Sequence, residues 1–277
     1  MFNSIGINWL LTILLVFATP WTLTITQPPP SIPTGTTAYL ENSHAHNDYL
    51  HPRPLLDALQ LGFRSIEADV WLVQDRILVA HDRKDLSPER NFEEMYLKPL
   101  LKRFNDNNGW IYSPNQTVIL LIDIKSNGDE MYPKLKQLFE QYKPILKPQL
   151  PQRQPAVQAI LSGNRPIKLV QQDTESLAFI DGRLETLEFR DLNSRLIPLI
   201  SDNWRNHFRW NGEGEFPQHE REKLNAIVKK THDHGCLLRF WATPENERLW
   251  RVLRDSGVDL IGTDDLDKLA SFLQQSK

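Results

Sequence analysis

The feature that most constrains the fold is a regular alternation of short apolar segments with helical patterns through residues 38–277. The apolar segments predict strands at 38–43, 63–70, 76–80, 117–124, 156–162, 196–201, 237–242 and 259–263. Strands that alternate with helices form parallel βα units. The roughly 240 residues available match one barrel of about 250 residues. We therefore predict an α/β fold, a (β/α)8 TIM barrel, over 38–277, although 163–195 give no clear assignment.

The N-terminal segment differs sharply from the rest of the chain. The first 40 residues contain no Asp, Glu, Lys or Arg, whereas the whole chain has 32 Lys and Arg and 35 Asp and Glu. Residues 9–18 (WLLTILLVFA) have the length of a signal-peptide core, and 5–25 reach the roughly 20 residues of a membrane span. We predict that 1–26 is a signal peptide or an N-terminal membrane anchor and that 27–37 is a Pro-rich linker. The protein is then extracytoplasmic, either secreted or membrane-anchored.

The net charge argues against a nucleic-acid partner, and the cysteine content excludes an internal disulfide. The net charge is −3, and nucleic-acid binders usually carry a basic patch, so no nucleic-acid partner is expected. Cys236 is the only cysteine of the 277 residues, which excludes an internal disulfide.

Acidic side chains stand at the ends of two predicted strands. Glu67 and Asp69 are two residues apart, so both point to one face of their strand, toward the mouth where barrel active sites lie. Two neighbouring carboxylates repel each other unless a cation lies between them, and oxygen ligands favour Mg²⁺ or Ca²⁺. Asp123 ends the most apolar strand, where an unpaired charge is costly. We predict one divalent cation, Mg²⁺ or Ca²⁺, held by Glu67, Asp69, Asp123 and Asn47.

Histidines and a lysine accompany these carboxylates. His46 and His81 follow predicted strands, and the pKa of histidine suits proton transfer near neutral pH. His44 is the alternative to His46. Lys125 lies on the same face as Asp123 and is predicted to hold a phosphate oxygen, although an ion pair of these two residues without further function is the alternative. Oxygen ligands, two proton-transfer groups and a lysine together suit the cleavage of a phosphodiester.

Three tryptophans give further expectations. Trp241 ends a predicted strand and is expected either to line the mouth of the barrel or to pack in the core. Trp204 and Trp210 lie in a polar loop, which predicts exposed rings that contact a membrane or the substrate.

Four short segments, taken in order, resemble the phospholipase C-like phosphodiesterase superfamily, which includes glycerophosphodiester phosphodiesterases and phosphatidylinositol-specific phospholipases C. The segments are 46–49 (HNDY), 66–71 (IEADVW), 79–82 (VAHD) and 121–125 (LIDIK). Within this superfamily the chain is most similar to the family of altered inheritance of mitochondria protein 6, where 85–90 (DLSPER) and 95–100 (MYLKPL) are also similar. Residues 257–265 (GVDLIGTDD) resemble the last strand of the glycerophosphodiesterases.

The resemblance implies a barrel of the phospholipase C-like type that binds one divalent metal and cleaves a glycerophosphodiester or phospholipid-type substrate. It assigns catalytic roles and metal ligation to the same residues: catalytic His46 and His81, and ligands Asn47, Glu67, Asp69 and Asp123. The chain lacks the His-Arg-Gly motif of glycerophosphodiesterases and has no match to their usual phosphate-binding arginine. The head group, and the choice between attack by water and attack by a substrate hydroxyl, therefore stay open.

Two other functions fit part of the pattern. His44 and His46 form the kind of pair that binds zinc in amidohydrolase-like enzymes, but such sites usually need further histidines on middle strands, which 121–125 and 156–162 lack. The second alternative is a catalytically silent, membrane-tethered binding module, because fold alone does not decide function. The main expectation is a phosphodiester or phospholipid-like substrate, with membrane contact through the N-terminal segment.

Overall fold

The computed structural model describes residues 38–148, 154–189 and 191–275, together with Met1. These residues contain the strands β1 (Leu40–Ala45), β2 (Phe63–Val73), β3 (Arg76–Val79), β4 (Val118–Ile124), β5 (Val157–Gly163), β6 (Ala178–Gly182), β7 (Leu199–Asn203), β8 (Leu237–Trp241) and β9 (Leu260–Thr263). The α-helices are α1 (Leu56–Leu61), α2 (Lys98–Asp106), α3 (Gly128–Gln141), α4 (Lys143–Leu146), α5 (Ile167–Gln172), α6 (Trp204–His207), α7 (Gln218–Asp233), α8 (Glu247–Asp255) and α9 (Leu266–Gln274).

Eight of the strands form a closed parallel barrel. Their order is β1-β9-β8-β7-β6-β5-β4-β2, and the pairing of β1 with β2 closes the ring. β3 stands outside this ring, because it pairs antiparallel with the end of β2. The predicted (β/α)8 barrel is confirmed.

The apolar sequence of the strands reflects burial on both of their faces. β4 reads VILLIDI, and its apolar residues alternate between two separate cores. Inside the barrel, Ile119 and Leu121 pack with Ile160, Leu199 and Leu260. Outside it, the alternate residues of β4 join the larger core beneath the helices. Parallel strands covered on both faces read as nearly continuous apolar runs, which is why this strand is so clear in the sequence.

A polar layer lies above the inner core. Strand register places Asp69 beside Asp123 and Asp123 beside Ser162, while Glu67 pairs with Leu121 one layer below. Since paired residues of parallel strands point to the same side of the sheet, these side chains share the barrel interior with Leu121. The carboxyl ends of the strands therefore open onto a group of acidic residues, of which Glu67 and Asp69 are buried and Asp123 is half-buried.

Two features differ from the expectations. β6 was not predicted and falls within the unassigned segment 163–195. Trp204 and Trp210, expected to be exposed, are buried. The Trp204 ring stacks on Phe208 with centroids 4.0 Å apart and meets Phe240 edge-on, so apolar packing of the loop against the barrel overrides its polar composition.

The N-terminal expectations concern residues outside the described part. The predicted signal peptide or anchor at 1–26 and the linker at 27–37 lie, apart from Met1, beyond what the structure describes. Among the described residues, no helix has both the length and the apolarity to cross a membrane.

Candidate active site

The structure gathers the predicted site residues at the carboxyl end of the barrel strands. They come from β1, β2, β4 and the segments that follow β1, β3 and β4, and they are His44, His46, Asn47, Glu67, Asp69, His81, Asp123 and Lys125. Carboxylate oxygens of Glu67, Asp69 and Asp123 lie within 4.8 Å of one another.

Glu67 is held through one of its two oxygens. Its Oε2 accepts hydrogen bonds from His44 Nε2 at 2.9 Å and from Arg239 Nη2 at 2.8 Å. Burial raises the pKa of Glu67, but the Arg239 guanidinium and the hydrogen bond from His44 hold it below its usual value. Glu67 is therefore ionised, and Oε1 stays directed toward His46, whose Nε2 lies 3.9 Å away.

His44 is a buried structural partner of Glu67. Burial, assisted by the charge of Arg239, lowers the pKa of His44 to about 3, so the ring is neutral. Its Nδ1 lies 2.7 Å from Ser65 Oγ, and its Nε2–H donates to Glu67. Both ring nitrogens of His44 thus have protein partners, and neither faces a ligand.

His46 stands partly exposed at the mouth. Its Nδ1 lies 2.8 Å from Asp264 Oδ1. Burial lowers the pKa of His46, but the hydrogen bond to Asp264 and the charge of Glu67 more than offset this and raise it. With Nδ1–H donated to Asp264, the lone pair of Nε2 faces the site, as in a carboxylate–histidine pair that transfers protons.

Asp69 is the most densely bonded carboxylate of the site. Its Oδ2 lies 2.7 Å from the Tyr49 hydroxyl, 3.0 Å from His81 Nδ1 and 3.0 Å from Lys125 Nζ. Its Oδ1 is buried without a hydrogen-bond partner among the described residues. Burial and the nearby Glu67 carboxylate raise the pKa of Asp69 to about 6, although Lys125 opposes them. An orphaned oxygen in so acidic a place fits a cation ligand.

Asp123 and Lys125 complete the acidic cluster. The Lys125 Nζ atom lies 3.4 Å from Asp123 Oδ2 as well as 3.0 Å from Asp69 Oδ2. Burial raises the pKa of Asp123 despite this neighbour. An ammonium group has three donors, so two contacts leave one for a substrate oxygen. The predicted ion pair of Asp123 and Lys125 thus exists, and it leaves the lysine able to contact a ligand.

Tyr49 links the remaining predicted residues. Its hydroxyl lies 2.7 Å from Asn47 Oδ1 and 3.2 Å from His81 Nδ1, besides its contact with Asp69. With a single proton, the hydroxyl donates to only one of the two oxygens at a time. The side chain of His81 is 58% exposed, so its second nitrogen faces solvent at the mouth. Asn47 has a left-handed backbone, φ 48°, which asparagine tolerates better than most residues.

Three residues of the site were not singled out in the sequence. Tyr49 lies within the HNDY segment, which was the available signal for it. Asp264 directly follows β9, so its position at a strand end was an available signal. Arg239 lies within β8, where its paired neighbours are Ser201 and Leu260. No local pattern reveals that its guanidinium crosses the barrel to Glu67, 172 residues away in the chain.

Comparison with protein families and curated proteins gives consistent matches. A family model described as "AIM6-like phosphodiesterase domain" matches residues 38–181. The altered inheritance of mitochondria protein 6 homolog of Arthroderma benhamiae is 27% identical over 262 residues, which covers 83% of this chain and 82% of that protein. Altered inheritance of mitochondria protein 6 of Eremothecium gossypii is 28% identical over 272 residues, covering 84% of this chain and 69% of that protein.

Solved structures resemble the barrel. A glycerophosphodiester phosphodiesterase from Parabacteroides distasonis has a TM-score of 0.51 at 14% identity and covers 86% of this chain and 96% of its own. One from Agrobacterium tumefaciens has a TM-score of 0.52 at 15% identity, covering 85% and 99%. At such low identity these neighbours establish the fold alone.

Proposed function

Because the chain belongs to the AIM6-like phosphodiesterase domain family, we propose that it is a metal-dependent phosphodiesterase acting at the mouth of its barrel. The substrate class is a glycerophosphodiester or a phospholipid-type phosphodiester. The observation that carries the proposal is the cluster of Glu67, Asp69 and Asp123 within 4.8 Å, with one histidine beside Glu67 and another beside Asp69.

The residues of the cluster fit a hard divalent cation. Glu67 Oε1 and Asp69 Oδ1 have no hydrogen-bond partner among the residues that the structure describes, and Asp123 stands beside them. Asn47 offers a neutral oxygen next to the Tyr49 hydroxyl. A bound Mg²⁺ or Ca²⁺ supplies positive charge for the phosphoryl oxygens of a substrate. Oxygen ligands alone favour these ions over Zn²⁺.

The two histidines divide the proton transfers. His46, oriented by Asp264 through Nδ1, accepts the proton of the attacking hydroxyl at Nε2. His81, whose Nδ1 lies beside Asp69, protonates the leaving oxygen as the P–O bond breaks. Lys125 donates its remaining N–H to a phosphoryl oxygen and stabilises the charge that develops there. The attacking hydroxyl belongs to water, or to the substrate itself when a cyclic phosphate forms.

A zinc-dependent amidohydrolase receives less support. That reading needs His44 and His46 to share a metal, yet both ring nitrogens of His44 have protein partners. A silent binding module requires no particular geometry, so turnover is what separates it from the proposed enzyme.

Phosphorus NMR of the purified full chain tests the proposal. The chain is incubated with glycerophosphodiesters, lysophospholipids and phosphatidylinositol, with Mg²⁺ or Ca²⁺ and with EDTA as the metal-free control. We expect a phosphomonoester or cyclic-phosphate signal that EDTA abolishes. The variants Glu67→Gln and His81→Ala should remain folded and lose activity, His81→Ala by about 10²- to 10⁴-fold.

Two surface variants serve as matched controls. Glu94→Gln removes an exposed carboxylate that pairs with Lys98, and His219→Ala removes an exposed histidine of α7; both should turn over substrate like the wild type. Near-normal activity of Glu67→Gln or His81→Ala would refute the proposed site. Absence of any new signal with every substrate would favour the silent binding module.

A further inference from the structure

Two arginines lie at the mouth of the barrel outside the proposed catalytic group. Arg165 follows β5 by two residues, and Arg183 follows β6 directly. Both are half-buried. Because they come after the carboxyl ends of barrel strands, they stand on the face that carries the carboxylates.

A buried carboxylate anchors both arginines. Asp181 is fully buried, and its Oδ2 accepts hydrogen bonds from Ser162 Oγ at 2.7 Å, Ser201 Oγ at 2.6 Å and Arg183 Nη1 at 2.7 Å. Arg165 Nη1 donates to the backbone carbonyl of the same residue. One acidic residue thus fixes the two guanidinium groups near each other.

The positive charge of the pair exceeds what Asp181 neutralises. Burial, and next the charge of Arg183, lower the pKa of Arg165, while Asp181, the exposed Glu185 and Asp123 oppose this. Within the described residues, each arginine side chain uses only Nη1 in hydrogen bonds, and Nε and Nη2 of both have no partner. None of these nitrogen atoms is fully buried by the described residues, so they are donors accessible to a ligand.

The loop that carries Arg165 packs directly against the candidate metal cluster. Ser162 pairs with Asp123 across β5 and β4. The side chain of Asn164 donates to the carbonyls of Lys125 at 3.2 Å and Ser126 at 3.0 Å. A bound group that reaches Lys125 therefore lies next to this loop, and the hydrogen bonds hold the loop in place before any ligand binds.

We propose that Arg165 and Arg183 form an anion subsite that binds a second negatively charged group, a carboxylate or a phosphate monoester, of the phosphodiester substrate. The inference rests on the proposed function and narrows its substrate class to diesters with an anionic head group. A guanidinium presents a planar fork of donors that matches carboxylate and phosphate oxygens. Two guanidinium groups beside the cluster of Glu67, Asp69 and Asp123 bind a second anionic group of the substrate, in addition to the negative charge of the scissile diester itself.

Matched substrate pairs test the subsite through turnover. Glycerophosphoserine is compared with glycerophosphoethanolamine for the carboxylate, and glycerophosphoglycerol with and without a terminal phosphate for the phosphate. We expect kcat/KM to favour the more anionic member of at least one pair by about 10- to 100-fold, the equivalent of one hydrogen bond to a charged group. The pair that discriminates identifies the kind of anion.

Arg165→Gln and Arg183→Gln should bring that ratio close to one. Lys168→Gln, which removes an exposed charge of α5 in the same region, is the matched control and should keep the wild-type ratio. Arg165→Gln is the safer variant for folding, because the only hydrogen bond of the Arg165 side chain within the described part of the chain is to a backbone carbonyl. Full discrimination in Arg165→Gln and Arg183→Gln, or a ratio near one in the wild-type chain, would overturn the subsite.

Sulfate binding, in EDTA, tests the subsite without turnover. Titration of the full chain should shift the guanidinium Nε–H NMR signals of Arg165 and Arg183 saturably. Lys125→Met should keep this binding, and Arg165→Gln should lose it. Saturable binding by a chain that cleaves no diester supports the subsite and contradicts the proposed function. Sulfate that shifts neither arginine contradicts the subsite, even if the chain is an active phosphodiesterase.

Discussion

At the scale of single residues, the carboxylates of the site share one arrangement, in which one oxygen is held by the protein and the other is open. Glu67 is bonded at Oε2 by His44 and Arg239, and Asp69 is bonded at Oδ2 by Lys125 among others, while its Oδ1 has no partner in the described chain. Hydrogen bonds to one oxygen orient a carboxylate and leave its second oxygen available to bind a cation. The open oxygens then converge where a cation is expected.

Asp264 gives a prediction at this scale. Asp264→Asn weakens the hydrogen bond that does most to offset the effect of burial on the pKa of His46 and also removes the Asp264 charge, so this pKa should fall. If neutral His46 is the base, the rising limb of the rate profile moves to lower pH, and kcat falls because the asparagine orients the ring less firmly. NMR titration of the His46 ring and a pH–rate profile measure both effects.

The control for this prediction is Asp233→Asn, which removes an exposed carboxylate paired with Lys229. It should leave the His46 titration and the rate unchanged. An unaltered pKa of His46 in Asp264→Asn would show that Asp264 does not set the charge of this ring.

The sequence identifies the acidic and histidine residues of the site better than the residues that hold them. Glu67 and Asp69 lie near the end of the part of β2 that pairs with β4, and His81 follows β3, so local spacing suffices to predict that they meet. Arg239 in β8 contacts Glu67, and Asp264, just after β9, contacts His46, so both come from the far end of the sequence. Such contacts depend on barrel closure, which no local pattern encodes.

At the scale of elements, the site depends on the close approach of the carboxyl ends of β4 and β5 to each other. Gly163 ends β5 with a left-handed backbone, φ +65°. A Cβ atom there would overlap Asp123 Oδ1 and the carbonyl oxygen of Ile124. Glycine is therefore required both for its conformation and for the space that Asp123 occupies.

Gly163→Ala should be strongly destabilising and should displace Asp123. Gly214 is a matched control, because it has the same φ of +65° but no atom of the described residues within 4 Å of the added Cβ. Gly214→Ala should cost about 1–2 kcal/mol from backbone strain alone, and Gly163→Ala about 1–3 kcal/mol more from overlap. Urea unfolding measures both, and equal losses of stability would mean that the packing around Asp123 relaxes without cost.

Elements were predictable where they are long and apolar. The strand predicted at 117–124 is long and apolar, and it lies at Val118–Ile124 as β4. β6 has five residues, and α5, which precedes it, has six; elements this short give too little periodicity to stand out. The segment 76–80 was correctly predicted as a strand, but only the structure reveals that it pairs antiparallel, outside the ring.

At the scale of the whole molecule, the barrel is predicted to be a complete domain and the N-terminal segment an export or anchoring device. A chain starting at residue 38 should unfold at the same urea concentration as the full chain and cleave the same substrates. Loss of folding in this shortened chain would contradict the predicted domain boundary. In cells, the full chain should be extracytoplasmic and the shortened chain should not, which fractionation measures.

The claim on which the proposed function depends is that Glu67, Asp69 and Asp123 hold one divalent cation. Calorimetric titration of the metal-free full chain with Mg²⁺ and Ca²⁺ tests it most directly. We predict one ion per chain for at least one of the two metals, lost in Glu67→Gln and in Asp69→Asn and retained in Glu94→Gln. Absence of binding, or equal binding by Glu67→Gln, Asp69→Asn and the wild type, would contradict the claim.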